Sequence, residues 1–228
     1  MKKPKTNINT PRYWNQKYLQ LAKPNKVLYT KHKQLYERIA DFVFTLKHDV
    51  VVDFGAGIGP LPFLLDIRKY KFEGRRYIAV DQSKEGLKTA KEYVNAIEPV
   101  VCDVTDKSVF KHVEPGSVDL VVCVEVLEHL TNPITALSNI KDLLNENGRA
   151  IVSIPYGKSP YKDHYHIHIP KEKMEEWHEA VDLFVESIIV VKNWIIFKSR
   201  RLGEGDAKRI RSKETKTRTA DLRIPIKD

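Results

Sequence analysis

Between residues 125 and 129 the chain reads Glu-Val-Leu-Glu-His, two carboxylates and an imidazole within five positions. If these residues open a helix, Glu125 and Glu128 share a face at i and i+3, with His129 at i+4 from Glu125. Carboxylate oxygens with an imidazole suit one divalent cation. The same set suits proton transfer near neutral pH, where imidazole titrates. Farther along, Asp163-His164-Tyr165-His166-Ile167-His168 gathers three histidines, which fall on one side of the chain if the segment is extended. His164 therefore joins Glu125, Glu128 and His129, both as a candidate catalytic group and as a candidate metal ligand. The plainer alternative for each residue is a helix-capping or core-satisfied role.

A second constellation lies upstream, in Val50-Val51-Val52-Asp53-Phe54-Gly55-Ala56-Gly57-Ile58-Gly59-Pro60. The β-branched run reads as a buried parallel strand. Glycines at alternate positions then make a tight turn into a helix, and without Cβ atoms they let a ligand lie against bare backbone. Such a strand–turn–helix unit holds nucleotide-like cofactors in α/β proteins. A dinucleotide fingerprint would carry its third glycine where Pro60 stands, which argues against a nicotinamide-dependent dehydrogenase. Asp53, Asp81, Asp103 and Glu125 each fall at or just after a strand end, where ligands of such sheets bind. Asp81 is placed to accept both hydroxyls of a ribose, and Asp103 to accept from an adenine amino group.

These residues need elements to hold them. Leu35, Ile39, Phe42, Val43 and Leu46 recur at helical spacing within 29–46, whereas 1–27 is polar and interrupted by Pro4, Pro11 and Pro24, which predicts an irregular segment. Strands are expected at 50–53, 77–81, 98–103, 119–124 and 149–155. Helices fall between them at 61–70, 83–94 and 133–144, and Asn147-Gly148 reads as a stop or turn. A helix at 171–181 follows. The β-branched and aromatic stretch 184–199, with Asn193 midway, predicts two strands in a closing hairpin or one long bent strand. Alternating strands and helices give an α/β class with a mainly parallel sheet covered on both faces. Residues 202–228 have little apolar periodicity and read as a flexible tail.

The net charge of +9 is uneven: residues 1–36 carry nine Lys/Arg and no acid, and residues 198–228 carry eleven Lys/Arg against five acids. Two basic ends on an acidic body point to a polyanionic partner, or else to solvated tails. No apolar run is long enough to span a membrane, and no apolar stretch follows the basic start, so a cytoplasmic protein without a signal peptide is expected. The two cysteines, Cys102 and Cys123, fall in or at predicted strands and read as reduced core residues.

The segments 53–59 (D-x-G-x-G-x-G), Ala79-Val80-Asp81, Cys102-Asp103-Val104, Val118 to Leu130 and Leu143 to Pro155 together resemble, in order, the motifs of class I S-adenosylmethionine (SAM) dependent methyltransferases. The similarity covers roughly residues 35–198 and is strongest to the broad subgroup whose fourth motif ends in "LEH". It implies a Rossmann-like, seven-stranded sheet, mostly parallel, with a C-terminal antiparallel hairpin and helices on both faces. SAM is the implied cofactor, held by Asp53, Gly55, Ala56, Gly57, Gly59, Asp81, Gln82, Asp103, Val104 and Glu125. The implied organisation is a basic N-terminal segment at 1–28, with Tyr13 and Trp14 as a candidate cofactor lid, a methyltransferase domain at 29–199 and a basic tail at 200–228.

E-x-x-E-H followed by a later histidine is similar to two subgroups. One is the ubiquinone-biosynthesis type of O-methyltransferase. The other is the small-RNA 3′-terminal ribose methyltransferases, which use a metal here. The downstream D-H-x-F-E-W run of the latter matches only at Asp163-His164. The expected function is methyl transfer to an oxygen or nitrogen of a small metabolite or RNA, with a divalent metal as an optional second group. The alternative is a non-catalytic SAM-fold protein that binds nucleic acid or a partner. The N-P-P-[YFW] signature of amino-group DNA methyltransferases is absent after the fourth strand, where Val124-Glu125-Val126-Leu127 stands.

Overall fold

The computed structural model describes residues 8–21, 23–28, 32–157, 162–166 and 168–202. The expected flexible tail lies outside them, apart from its first residues. Seven strands form one sheet: β1 (Val50–Phe54), β2 (Arg76–Asp81), β3 (Ile97–Val101), β4 (Val118–Val124), β5 (Leu144–Pro155), β6 (Leu183–Val191) and β7 (Trp194–Arg201). Their order is β3-β2-β1-β4-β5-β7-β6. The pairs from β3 to β5 are parallel, and β7 runs antiparallel to both β5 and β6. This is the Rossmann-like, seven-stranded sheet with a closing hairpin that the resemblance implies.

The β-branched runs work because both faces are covered. Val52, Val80, Val121 and Val152 face a core completed by helix α6 (Pro133–Leu143) and helix α7 (Lys171–Ala180). Their neighbours Val51, Ala79, Val122 and Ile151 face the opposite core, completed by α3 (Lys33–Thr45), α4 (Pro60–Ile67) and α5 (Lys84–Tyr93). Alternate side chains point to opposite faces, so an uninterrupted apolar strand is buried twice over. Asp119 pins the entrance of the sheet: its Oδ2 accepts from the backbone of Asp49 and Val50 at 2.8 and 2.9 Å, and its Oδ1 accepts from Asn145 Nδ2 at 2.6 Å.

Two expectations change. The stretch read as irregular contains α1 (Pro11–Leu21) and α2 (Pro24–Leu28). Pro11 and Pro24 are the first residues of these helices, where a missing N–H costs no intrahelical bond. Asn147-Gly148 does not stop a segment before β5. It lies inside that strand, in an irregularity that inserts residues between the pairings Val118↔Leu144 and Leu120↔Arg149. Cys102 and Cys123 are buried and free. Among the described residues no helix is long and apolar enough to cross a membrane.

Candidate active site

The carboxyl ends of β1, β2 and β4 meet at one edge of the sheet. The glycine turn after β1 is locked there by bonds from the Gly55 and Ala56 N–H groups to the Val80 carbonyl, at 2.7 and 3.0 Å. Gly55 and Gly57 have φ of +76° and +55°. A Cβ on Gly55 would lie 2.3 Å from the Val126 side chain, and one on Gly57 would lie 2.8 Å from the Tyr18 hydroxyl. Backbone conformation and close approach thus both require glycine. Gly59 precedes α4, and Pro60 takes its first position.

Asp81 closes this turn from β2. Its Oδ2 accepts from Gly57 N at 2.9 Å and its Oδ1 from Ser83 N at 2.7 Å. Burial outweighs those two bonds and pushes its carboxyl up to about 6. A narrow cleft of about 50 Å³ runs past Asp81, Gln82, Asp103 and Val104. Asp103 Oδ1 accepts from the Thr105 backbone and hydroxyl, each at 2.8 Å. Asp53 stands behind the loop. It is buried, takes the Tyr77 hydroxyl at 2.9 Å, and is pushed up to about 7 by burial against that bond.

Beside the cleft opens a cavity of about 590 Å³ bounded by the glycine turn, Glu125, Glu128, His129, His164 and the aromatic residues Trp14, Tyr18, Tyr36 and Trp194. Here the structure corrects the helical reading of 125–129. Glu125 adopts a left-handed φ of +57°, and only Leu127–His129 form a single 3-10 turn. The two glutamates therefore diverge. Glu125 Oε2 accepts from the Trp194 indole at 2.8 Å. Glu128 instead turns inward and meets His129 and His164, the donor atoms of the three lying within 4.8 Å of one another. The histidine run also departs from expectation, because 162–166 is a turn and not an extended segment. His164 stands edge-on to His129 with ring centres 4.7 Å apart, His166 donates its N–H to the Glu128 carbonyl, and His168 lines a separate groove beside Lys171 and Glu172.

The electrostatics of Glu128 are unusual. It is 1% exposed, and among the described residues neither carboxylate oxygen has a hydrogen-bond partner. Burial, with the charges of Glu125 and Asp163 adding to it, holds its carboxyl well above the usual range. His129 is pushed down by burial. Its Nδ1 lies 2.8 Å from the Asp163 carbonyl, and its Nε2 4.0 Å from Glu128 Oε1.

A family model described as "Methyltransferase domain" matches residues 52–150, the stretch from β1 into β5. Residues 52–150 thus match a methyltransferase domain, and the sheet has the fold seen in SAM-dependent methyltransferases. Among the solved structures that share its fold are three methyltransferases. A TehB-like SAM-dependent methyltransferase from Corynebacterium glutamicum has a TM-score of 0.61 at 18% identity, covering 84% of this chain and 98% of that one. A SAM-dependent methyltransferase from Aquifex aeolicus gives 0.63 at 18% identity, covering 81% and 97%. The 1,6-didemethyltoxoflavin-N1-methyltransferase of Burkholderia thailandensis, solved with bound 1,6-didemethyltoxoflavin and S-adenosylhomocysteine, gives 0.60 at 18% identity, covering 87% and 93%. Among curated proteins, none matches the chain.

The larger cavity is also lined by residues beyond those read from the motifs. Tyr36 of α3 and Trp194 of β7 line the larger cavity, and so do Lys17 and Tyr18 of α1. Trp14 and Tyr18 are spaced i, i+4, which puts both on one helix face. That spacing was the available signal, but it sits between prolines. Trp194 carries no local signal, because the pairing of β7 with β5 brings it to Glu125.

Proposed function

We propose that this methyltransferase transfers the methyl group of SAM to a hydroxyl oxygen, with a divalent cation held by Glu128, His129 and His164. The observation that carries this reading is the Glu128 carboxylate, buried beside two imidazoles and, among the described residues, without a hydrogen-bond partner. A buried carboxyl without a partner stays charged only at high cost and otherwise holds a proton, and a cation beside it would favour the charged form. The donor set of one carboxylate and two imidazoles suits a borderline divalent ion. A cation there would supply Lewis acidity toward an acceptor hydroxyl. SAM supplies a methyl group already activated on its sulfonium, so alignment and exclusion of water fall to the protein.

In this reading the Gly55–Gly57 backbone lies against the cofactor, Asp81 accepts from its ribose and Asp103 from its adenine. Trp14 and Tyr18 of α1 cover it as a lid. Lys26 and His32 at the cavity, with nine Lys/Arg and no acid in residues 1–36, favour a polyanionic acceptor such as RNA.

The test is transfer of labelled methyl from SAM to RNA and small-metabolite fractions, with and without a chelator. RNA labelling that stops with chelator and returns with added Mn²⁺ is expected. Labelling indifferent to chelator removes the cation from the reaction, and labelling of the metabolite fraction alone removes RNA.

A further inference from the structure

Asp163, whose carbonyl holds the His129 ring, is itself contacted by two residues of the N-terminal segment, Asn9 and Lys17, outside the matched region. A carbonyl oxygen only accepts hydrogen bonds, so the 2.8 Å contact with the Asp163 carbonyl puts the imidazole proton on Nδ1. The lone pair is then on Nε2, the nitrogen that faces Glu128. The Asp163 carbonyl takes a second donor, Asn9 Nδ2 at 2.9 Å, and the same amide nitrogen lies 2.9 Å from the His129 carbonyl. One side chain thus ties the two chain segments that carry the ring and its acceptor. Lys17 Nζ forms an ion pair with the Asp163 carboxylate, whose side chain is 8% exposed. Trp14 stands edge-on to His129 with ring centres 5.0 Å apart.

We infer that Asn9 and Lys17 are positioning residues for His129. By holding Asp163 in place, they keep the imidazole in the Nδ1–H form with Nε2 presented to the cation. Partners of this kind fix the tautomer and direction of a ligating imidazole, and losing one typically weakens metal binding by 10- to 100-fold. Helix α1, which carries Lys17, also grips the cofactor side. Asn15 Oδ1 accepts from Ser83 Oγ and Glu85 N at 2.7 and 3.2 Å, and Tyr18 packs over Gly57 and Gly86. Helix α1 thereby joins the cation site to the glycine turn, although it supplies no ligand to the cation.

The inference rests on the cation reading, and the experiment separates the two. Mn²⁺ is titrated calorimetrically into the full chain and into Asn9→Ala, Lys17→Met, Lys17→Arg and Glu128→Gln. In parallel, the His129 tautomer is read from ring ¹⁵N chemical shifts without metal. Asn9→Ala and Lys17→Met are expected to weaken Mn²⁺ binding by roughly tenfold or more and to release the ring from the pure Nδ1–H form. Lys17→Arg is expected to restore most of the affinity. A variant that merely loosens the fold lowers the melting temperature without changing the tautomer, which counts against a positioning role. No Mn²⁺ uptake by the wild-type chain, or uptake unaltered in Glu128→Gln, overturns the cation reading and this inference with it. Uptake lost in Glu128→Gln but equal to wild type in Asn9→Ala and Lys17→Met overturns the inference alone.

Discussion

The Trp194 indole N–H donates to Glu125 Oε2 at 2.8 Å, joining the first residue of the last strand to the residue that follows β4. Glu125 is held there in a left-handed conformation, which few non-glycine residues adopt. The closing hairpin therefore acts on the site as well as on the sheet. Trp194→Phe keeps most of the buried surface but removes the only donor of that ring. Loss of a hydrogen bond to a charged acceptor costs about 1.5–3 kcal/mol. Urea unfolding of Trp194→Phe should lose stability by about that amount, and a change under about 0.5 kcal/mol would show that the bond does not hold Glu125.

Asp53 makes a prediction about pH. Burial raises its carboxyl from 3.8 to about 7, so the folded state keeps a proton that the unfolded chain releases. Its contribution is complete below the unfolded value and is lost as pH rises toward 7. Asp53→Asn keeps an acceptor for the Tyr77 hydroxyl and never has to ionise. It should be close to wild type at pH 4 and clearly more stable at pH 8. Equal stability of the two proteins at pH 8 is the result that sinks this account.

The first four strands are legible because each is an apolar run with an acid at or just after its end, and Asp81 and Asp103 come to line one cleft as their order along the chain implies. Helix α1 was not legible, since its two bounding prolines read as breakers although each occupies a first turn. Glu125 and Glu128 do not share a face as a helical period implies, because one positive φ turns the first carboxylate toward β7. His164 reaches His129 by a turn that returns from the far end of β5, a contact that no local period encodes.

His178 gives the opposite pH dependence. It is fully buried in α7 and stacked on Phe197, and its Nδ1 donates to the Met174 carbonyl at 2.7 Å. Burial lowers it from 6.5 to about 4. Here the unfolded chain takes up the proton first, so the contribution is present above pH 6.5 and lost as pH falls toward 4. That difference corresponds to roughly 3 kcal/mol. His178→Leu carries a packing cost that is independent of pH, so its stability relative to wild type should improve by about that much between pH 7 and pH 4. A constant gap across the range would mean that His178 is not held neutral.

Gly57→Ala tests how the glycine turn and α1 work together. The new methyl group would meet the Tyr18 hydroxyl at 2.8 Å and its ring at 3.0 Å, on a backbone with φ of +55°. Two costs act at once: a left-handed alanine, about 1 kcal/mol, and displacement of Tyr18, which lines both the cofactor cleft and the larger cavity. The Gly57 N–H must also keep its bond to Asp81. If α1 can move away, the protein folds but S-adenosylhomocysteine affinity should fall at least tenfold by calorimetry. Tyr18→Phe in the same background removes the nearest atom and should recover part of the loss. Wild-type affinity in Gly57→Ala would mean that the cofactor does not lie against this backbone, and recovery absent in the double variant would place the cost in the backbone and not in α1.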